Sequence, residues 1–356
     1  MAIAADLSKK ITNLSFISIV LVLYIHSNNI SFINVNDSLW DMINIFIQNF
    51  IGNGVARTAI PIFFITSGFF FFKKFEYSSY FILLKKRFHT LVIPYFFWSF
   101  IVICIFYLLQ SCEYTKSFFI RRLIADLSNY ELLKALIVEP KNYPLWFLRD
   151  LIILIIISPM IYFFLKKIRH IYLLFLMFLW LFFYPEVNTA LDLYKPNIIL
   201  FFSIGGYLAL YRDELLMFKI GNKTFYILFV TYIAILFLAI ITTIAHQNVT
   251  PSIFEVVLHK LIILLGIVTI WFLLDRIKVL NVFSITNFTF LIYVFHEPLL
   301  TIYKKALLFI SGKDALMSLF AYIISPILII INLLILGYLM KKFIPKISKI
   351  ILGGRI

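Results

Sequence analysis

The chain has 356 residues, of which 63% are hydrophobic and 14% are charged, and its formal net charge is +15. A soluble domain would carry about 25% charged residues, so the composition excludes an ordinary soluble enzyme. The positive charges lie in short clusters between apolar runs, which is typical of loops beside anionic lipid and argues against a nucleic-acid-binding protein.

A membrane-spanning helix needs about 20 apolar residues. Windows of that length predict ten such helices, at residues 11–33, 56–73, 91–111, 145–165, 170–184, 197–211, 224–245, 257–274, 285–303 and 318–341. The fold class predicted is therefore an all-α, polytopic membrane protein. We expect one transmembrane domain over residues 1–356, without an appended soluble domain.

The distribution of lysine and arginine predicts the topology. With the N-terminus in the cytoplasm, most of the 32 basic residues fall in the inside segments, and these segments are also the shorter ones. The positive-inside rule therefore predicts that both termini are cytoplasmic, in agreement with an even number of helices.

The longest predicted outer loop, residues 112–144, has a pattern of its own. Apolar residues from Phe119 to Leu127 recur at helical spacing, and Ser128 with Glu131 matches a capping box. The pattern predicts two short amphipathic helices on the outer membrane surface, with an ordinary structured loop as the alternative.

Ionisable residues inside the apolar helices are the candidate functional residues, because a charge at the membrane centre costs at least about 2.5–3.5 kcal/mol. The predicted topology places all of them in the outer half of the membrane. They are His26 in the first helix, Arg57 at the outer end of the second, Arg149 and Asp150 in the first turn of the fourth, and His296 with Glu297 in the ninth.

These residue types suit acid–base and anion chemistry. Imidazoles transfer protons near neutral pH, and arginines bind phosphates or oxyanions. The alternatives are that His26 is a packing residue, that the arginines anchor helix ends, and that Asp150 pairs with Arg57 or Arg149. No metal site is predicted, because neither the two cysteines nor the histidines have ligand spacing.

Two weaker features lie in the second and third helices. Arg87 follows Lys85 and Lys86 and precedes Pro94-Tyr95 at the cytoplasmic end of the third helix. The cluster suits the guidance of an anionic donor such as acyl-CoA, and a positive-inside anchor is the alternative. Gly68, after Ser67, predicts close helix packing.

Several blocks together resemble the acyltransferase 3 family. They are His26, the run Arg57–Phe69, Lys85–Arg87 with Pro94-Tyr95 and Trp98, the run Leu145–Leu151 with Trp146, and the run Ser284–Pro298. The resemblance implies a multi-pass enzyme of the cell inner membrane that moves an acyl group, commonly acetyl, from cytoplasmic acyl-CoA to a hydroxyl of a glycan or lipid-linked sugar. It implies acyl-CoA as co-substrate, no bound cofactor, and membrane lipids as surroundings.

The resemblance also implies site residues. His26 stands at the position of the family's essential histidine, and we expect His296 and Glu297 to be catalytic with it. The expected substrate-binding residues are Arg57, Arg149, Asp150, Trp146, Arg87 and Tyr95. The chain departs from the family at Ser15 and Thr90, where many members have arginines, which implies a larger role for Arg57 and Arg149.

Two other functions stay open at this stage. A transporter of polysaccharide or lipid-linked sugar would also use buried His and Arg, although the chain lacks repeated halves and paired broken helices. A non-catalytic partner of a polysaccharide synthase is the third interpretation: the motif match argues against it, and the departure at Ser15 keeps it open.

Overall fold

The structure is a computed structural model that describes residues 2–32, 38–116, 122–182, 196–246, 251–277 and 286–355. These ranges are helical, without strands. The helices are Ala2–His26 (α1), Leu39–Gln48 (α2), Ala59–Phe72 (α3), Tyr80–Arg87 (α4), Ile93–Ser111 (α5), Glu113–Lys116 (α6), Asn129–Ile137 (α7), Trp146–Ile156 (α8), Ser158–Lys167 (α9), Arg169–Phe182 (α10), Pro196–Tyr211 (α11), Asn222–Ala245 (α12), Ile253–Leu273 (α13), Thr289–Ser311 (α14), Ala315–Phe343 (α15) and Pro345–Ile351 (α16).

Six helical runs of the described residues are long and apolar enough to cross a membrane. They are Leu7–Phe32, Leu39–Phe72, Tyr77–Ser111, Asn222–Ala245, Ile253–Leu273 and Ala315–Phe343. The bent pair Tyr143–Ile156 and Ser158–Lys167 makes up to seven when it is counted as one span. The chain is thus a multi-pass membrane protein.

Each of the ten predicted segments falls on helical structure, but not all of these helices are full spans. Within the described residues, α10 and α11 have 14 and 16 residues, which at about 1.5 Å per residue is less than the hydrocarbon core of about 30 Å. α14 carries Glu297, Lys304 and Lys305 and is not among the apolar spans. Ten crossings and two cytoplasmic termini therefore stay predictions.

Two runs begin earlier than predicted. α2 continues through a π-helical turn, Asn49–Gly54, and a 3-10 turn, Val55–Thr58, into α3. α4 continues through the π-helical turn Phe88–Val92 into α5. Arg57 thus lies two residues before α3 and Arg87 ends α4, and both stand inside longer helical runs, Leu39–Phe72 and Tyr77–Ser111. α2 has a buried polar face, so a search for apolar windows does not detect it.

The segment predicted as one helix at 145–165 is two helices. α8 and α9 meet at Ile157 with a bend of 60°. Pro159 explains the break, because proline removes a backbone donor and disfavours the helical conformation of the residue before it.

α3 and α11 pack at backbone contact. A Cβ atom on Gly68 would overlap the backbone of Phe202, and one on Gly205 would overlap the carbonyl of Ile65. The close packing predicted at Gly68 is confirmed. Large aromatic residues, at most 2% exposed, surround this contact: Phe64, Phe71, Phe72, Phe201 and Phe202.

For the predicted outer loop, residues 112–144, the structure agrees with one of the two predicted helices and not with the other. The capping box is confirmed, because Ser128 accepts from Glu131 N and opens α7. Residues 117–121 lie outside the described residues, and of 122–127 only Ile124–Asp126 is helical, as a 3-10 turn, so the helix predicted there is wrong. The backbone N–H of Ile124 instead donates to Gln110 Oε1, at 2.6 Å.

Candidate active site

α1 ends at His26, and α14 passes beside that end. The His26 Nδ1 atom lies 3.7 Å from Glu297 Oε2, and the ring centroids of His26 and His296 are 5.4 Å apart. The side chains of His26 and Glu297 are 19% and 26% exposed, so a substrate can reach them. The structure therefore brings the three predicted catalytic residues together from helices that are far apart in sequence.

His296 is fully buried, and its contacts indicate its tautomer. Nδ1 lies 2.8 Å from the carbonyl oxygen of Tyr293 and 3.0 Å from that of Ile292. Because a carbonyl oxygen only accepts, Nδ1 carries the hydrogen and Nε2 presents the lone pair. Nε2 is buried and has no hydrogen-bond partner within the described residues. This atom therefore keeps an acceptor lone pair inside the bundle, beside the ring of His26.

Glu297 has one oxygen bound within its own helix and one directed to His26. Oε1 accepts from Thr301 Oγ1 at 3.2 Å, which fixes the carboxylate. A carboxylate beside an imidazole orients the ring and stabilises its protonated form. The 3.7 Å between His26 Nδ1 and Glu297 Oε2 is an ion-pair distance and longer than a hydrogen bond, and Oε2 has no hydrogen-bond partner within the described residues.

Lys304 is a third ionisable residue of α14 at this site, after His296 and Glu297, and it was not predicted from the sequence. Its Nζ atom donates to the carbonyl oxygens of His26 and Asn28, and the residue is only 6% exposed. The last carbonyls of a helix lack partners within it and form the negative end of its dipole, so an ammonium is favourable there. Its spacing from Glu297, seven residues on one face of α14, was the available signal.

The segment after His26 is held by a buried network of amides and a hydroxyl. The Asn29 amide donates to the carbonyl of Ser318, and its backbone N–H donates to Gln48 Oε1. The Gln48 amide donates to Asn29 Oδ1 and to Asn44 Oδ1, at 2.8 Å in each case. The network joins α2 and α15 to the end of α1, and so it fixes the position of His26.

The segment before α8 covers the histidines. The ring of Tyr143 packs edge-on against His26 with centroids 6.0 Å apart, and Tyr143 is 62% exposed. Asn142 donates from Nδ2 to the carbonyl of Val294 at 2.7 Å. Tyr143 therefore forms an accessible wall of the site that sequence analysis did not predict.

Arg57 lies in the 3-10 turn that joins the π-helical turn to α3. Its guanidinium donates to Asn53 Oδ1, and it interacts electrostatically with His26 and with His259 of α13. Single π-helical turns occur often at functional sites. The structure thus places the charge of Arg57 on the His26 side of the bundle.

Arg149, Asp150 and Tyr95 join α7 to the bundle. Arg149 donates from Nε to Asp150 Oδ1 at 2.8 Å and from Nη1 to the carbonyl of Val138 at 2.7 Å. The Tyr95 hydroxyl donates to the carbonyl of Ile137 at 2.8 Å. Asp150 is therefore the ion-pair partner of Arg149, and Tyr95 contacts Ile137 of the predicted outer loop. Trp146, the first residue of α8, is half-buried beside Phe147.

A comparison with the sequence profiles of known families identifies the family of this chain. The sequence profile of acyltransferase 3, described as an acyltransferase domain, matches residues 9–340. The chain belongs to the acyltransferase 3 family. Neither the search of curated proteins nor the search of solved structures gives a match.

In this acyltransferase 3 family member, the two residues that depart from the family pattern, Ser15 and Thr90, lie in helices. Ser15 donates to the carbonyl of Ile11 in its own helix, at 2.9 Å. Thr90 lies in the π-helical turn that follows Arg87, whose guanidinium lies 5.9 Å above the ring of Phe71. Lys85 and Lys86 are exposed.

No group of three His, Cys, Asp or Glu side chains within the described ranges could hold a metal ion.

Proposed function

We propose that this acyltransferase 3 member moves an acyl group, with acetyl favoured, from cytoplasmic acyl-CoA to a hydroxyl of a sugar, polysaccharide or glycolipid. The observation that carries the proposal is the pair of His26 and Glu297, with His296 beside it. The family match over residues 9–340 supports an acyltransferase, and the geometry supports a general-base mechanism.

His26 is the general base. Its Nδ1 atom faces Glu297, which leaves Nε2 for the acceptor hydroxyl. Nε2 removes the hydroxyl proton while the oxygen attacks the carbonyl carbon of the thioester. The new C–O bond forms, the C–S bond breaks, and the CoA sulfur leaves and takes the proton from the imidazolium. The step needs no further reactant. Oriented proton transfer of this kind contributes about 10²–10⁴-fold to the rate.

His296 and Arg57 support the same step. The ring of His296 packs beside that of His26 from inside the bundle, with centroids 5.4 Å apart, and so limits the orientations of the base. Arg57 stabilises the negative charge that develops on the carbonyl oxygen, because its charge is fixed and acts at low dielectric. Arg149, Asp150 and Tyr95 position α7 and α8 around the acceptor.

The topology completes the proposal. With ten crossings of the inner membrane and both termini in the cytoplasm, His26, Arg57 and His296 lie toward the outer side. The acceptor glycan meets the site there, whereas the acyl donor comes from the cytoplasm. The basic residues on the inner side then serve the donor.

A transporter of lipid-linked sugar is the second candidate. The break of 60° between α8 and α9 favours it, because broken helices line the substrate sites of transporters. The family match favours the enzyme.

The deciding experiment compares surface glycan by mass from cells with the gene, without it, and with His26→Ala in its place. The enzyme predicts that an acyl increment is lost in the second and third strains while glycan export continues. Loss of surface glycan with no change in its acylation would instead identify a transporter.

A further inference from the structure

A cavity of about 310 Å³ lies at the start of α1. Its walls are α1, the segment at the end of α13, and the 3-10 turn Asp213–Met217 with the two residues that follow this turn. Asn13, which lines the cavity, precedes His26 by thirteen residues, which is about 20 Å along the helix. The cavity is therefore a separate site at the end of α1 opposite to the candidate active site.

Arg276 fixes the walls of this cavity to each other. Its guanidinium donates to the carbonyl oxygen of Ile220 at 2.8 Å and to that of Phe272 at 2.9 Å, and it stacks 4.1 Å above the ring of Phe225. These contacts bind the segment that carries Lys219 to the end of α13. The cavity therefore has a defined shape.

Lys10 is held by two contacts inside the cavity. Its Nζ atom lies 2.7 Å from Asp275 Oδ1 and 4.0 Å from the centroid of the Trp271 ring. The side chains of Lys10 and Asp275 are only 13% and 17% exposed. This ion pair joins α1 to α13 and neutralises one of the positive charges of the lining.

Two further ammonium groups, those of Lys9 and Lys219, belong to the lining. No ion pair within the described residues involves either of them. Three lysines against the single carboxylate of Asp275 give the described lining a net charge of +2. The charge of the cavity therefore favours an anion.

The Asn13 amide is a polar group of this cavity that the protein does not use. Asn13 is only 8% exposed, and its side chain has no hydrogen-bond partner in the part of the chain that the structure describes. Buried side-chain amides are usually hydrogen-bonded, and the amide nitrogen has two hydrogens to donate. The cavity thus offers a buried donor as well as positive charge.

The size and the surroundings of the cavity favour a lipid headgroup. A volume of about 310 Å³ is at the lower end of the range of ligand pockets, about 300–1,000 Å³, and so suits one small group. Exposed apolar side chains of the lining, Met217, Phe218 and Ile277, lie beside the lysines and suit acyl chains. Basic pockets between transmembrane helices on the cytoplasmic side bind anionic headgroups.

We propose that this cavity binds the headgroup of an anionic phospholipid, phosphatidylglycerol. Lys9 and Lys219 pair with the phosphate, and Asn13 donates a hydrogen bond to it. The carboxylate of Asp275 accepts from a hydroxyl of the glycerol headgroup while it keeps its contact with Lys10. The bound lipid joins α1 to α13 and therefore stabilises the bundle. The site does not depend on acyl transfer.

The test follows the melting temperature of the full chain in phosphatidylcholine nanodiscs with an increasing fraction of phosphatidylglycerol. We expect a saturating rise, and Lys9→Gln with Lys219→Gln should increase the half-saturating fraction at least about tenfold, or about 1.4 kcal/mol. Asn13→Leu, which removes the amide at similar volume, should also increase it. The control, Lys73→Gln with Lys74→Gln, removes the same charge at exposed positions outside the cavity and should leave the fraction nearly unchanged.

Three results would overturn the inference. An equal increase in both double variants would show general attraction to an anionic surface, without a site. Stabilisation by coenzyme A or inorganic phosphate in pure phosphatidylcholine that depends on Asn13, with no such dependence for phosphatidylglycerol, would assign the cavity to a soluble anion. An unchanged half-saturating fraction, in variants that melt as the wild type does in phosphatidylcholine, would refute the site. Loss of acyl transfer alone would leave it standing.

Discussion

The ammonium of Lys304 binds the carboxyl end of the helix that carries His26, through the carbonyl oxygens of His26 and Asn28. The lysine and the partner of His26, Glu297, both belong to α14. α14 therefore contacts the proposed base twice: Lys304 binds the backbone of His26, and Glu297 faces its side chain.

We predict that Lys304→Met lowers both stability and turnover. Two carbonyls lose their buried donor, which costs about 1–3 kcal/mol, and a displacement of His26 by about 1 Å costs up to about 10²-fold in rate. Melting temperature in detergent and acyl transfer per folded protein are the measurements. Lys313→Met, at an exposed position, is the control. Unchanged values for Lys304→Met would show that the contact does not position His26.

His26→Ala should reduce acyl transfer by at least about 10²-fold with normal membrane abundance, because the general base is lost while the apolar helix remains. His296→Ala should cause a smaller loss. Transfer to the native glycan is measured in membranes matched for protein, with the exposed His89→Ala as control. Residual activity above about a tenth in His26→Ala would move the role to His296.

Glu297→Gln keeps the shape of the side chain and removes the charge that stabilises the imidazolium of His26. We expect kcat to fall by at least about tenfold and KM to stay near the wild-type value, because the interaction strengthens only as the proton moves. Glu139→Gln, which changes an exposed carboxylate, should have no effect. A change confined to KM would instead indicate that Glu297 binds the acceptor.

Arg149→Lys should lower the melting temperature, and Arg57→Lys should lower the rate of acyl transfer. Arg149 uses its fork on Asp150 and on the carbonyl of Val138, so lysine loses at least one of these bonds, which costs about 1–3 kcal/mol. Arg57→Lys should lower turnover with little change in melting temperature. The reverse pattern, in which folded Arg149→Lys melts normally but transfers slowly, would place Arg149 against the substrate.

Reporters fused before residue 1 and after residue 356 test the topology. Ten crossings put both fusions in the cytoplasm, where a fluorescent reporter is active and a periplasmic phosphatase is not. Seven crossings, the larger count of long apolar spans among the described residues, would put the two ends on opposite sides.

The apolar segments could be predicted from sequence because the membrane requires long runs of apolar side chains. The same rule missed α2, whose buried Asn44 and Gln48 are satisfied by other polar side chains and not by lipid. The start of the span that contains Arg57 was therefore placed too late.

The candidate catalytic residues could be found because His26, His296 and Glu297 interrupt apolar helices. Contacts between residues that are far apart in the sequence could not be predicted. Asn29 meets Ser318 across 289 residues, and Arg355 reaches Thr90 across 265, through a turn that depends on the left-handed conformation of Gly353. Nothing local to either partner indicates such a pair.

The contact of Gly68 with α11 has a consequence for biosynthesis. The described part of α11, Pro196–Tyr211, is shorter than the bilayer core, and Gly205 docks directly on the backbone of α3. We therefore expect α11 to be retained in the membrane only once it finds α3, which is made more than a hundred residues earlier. We therefore expect a bulkier residue at Gly68 to lower the amount of mature protein in the membrane, because it removes the contact that receives α11.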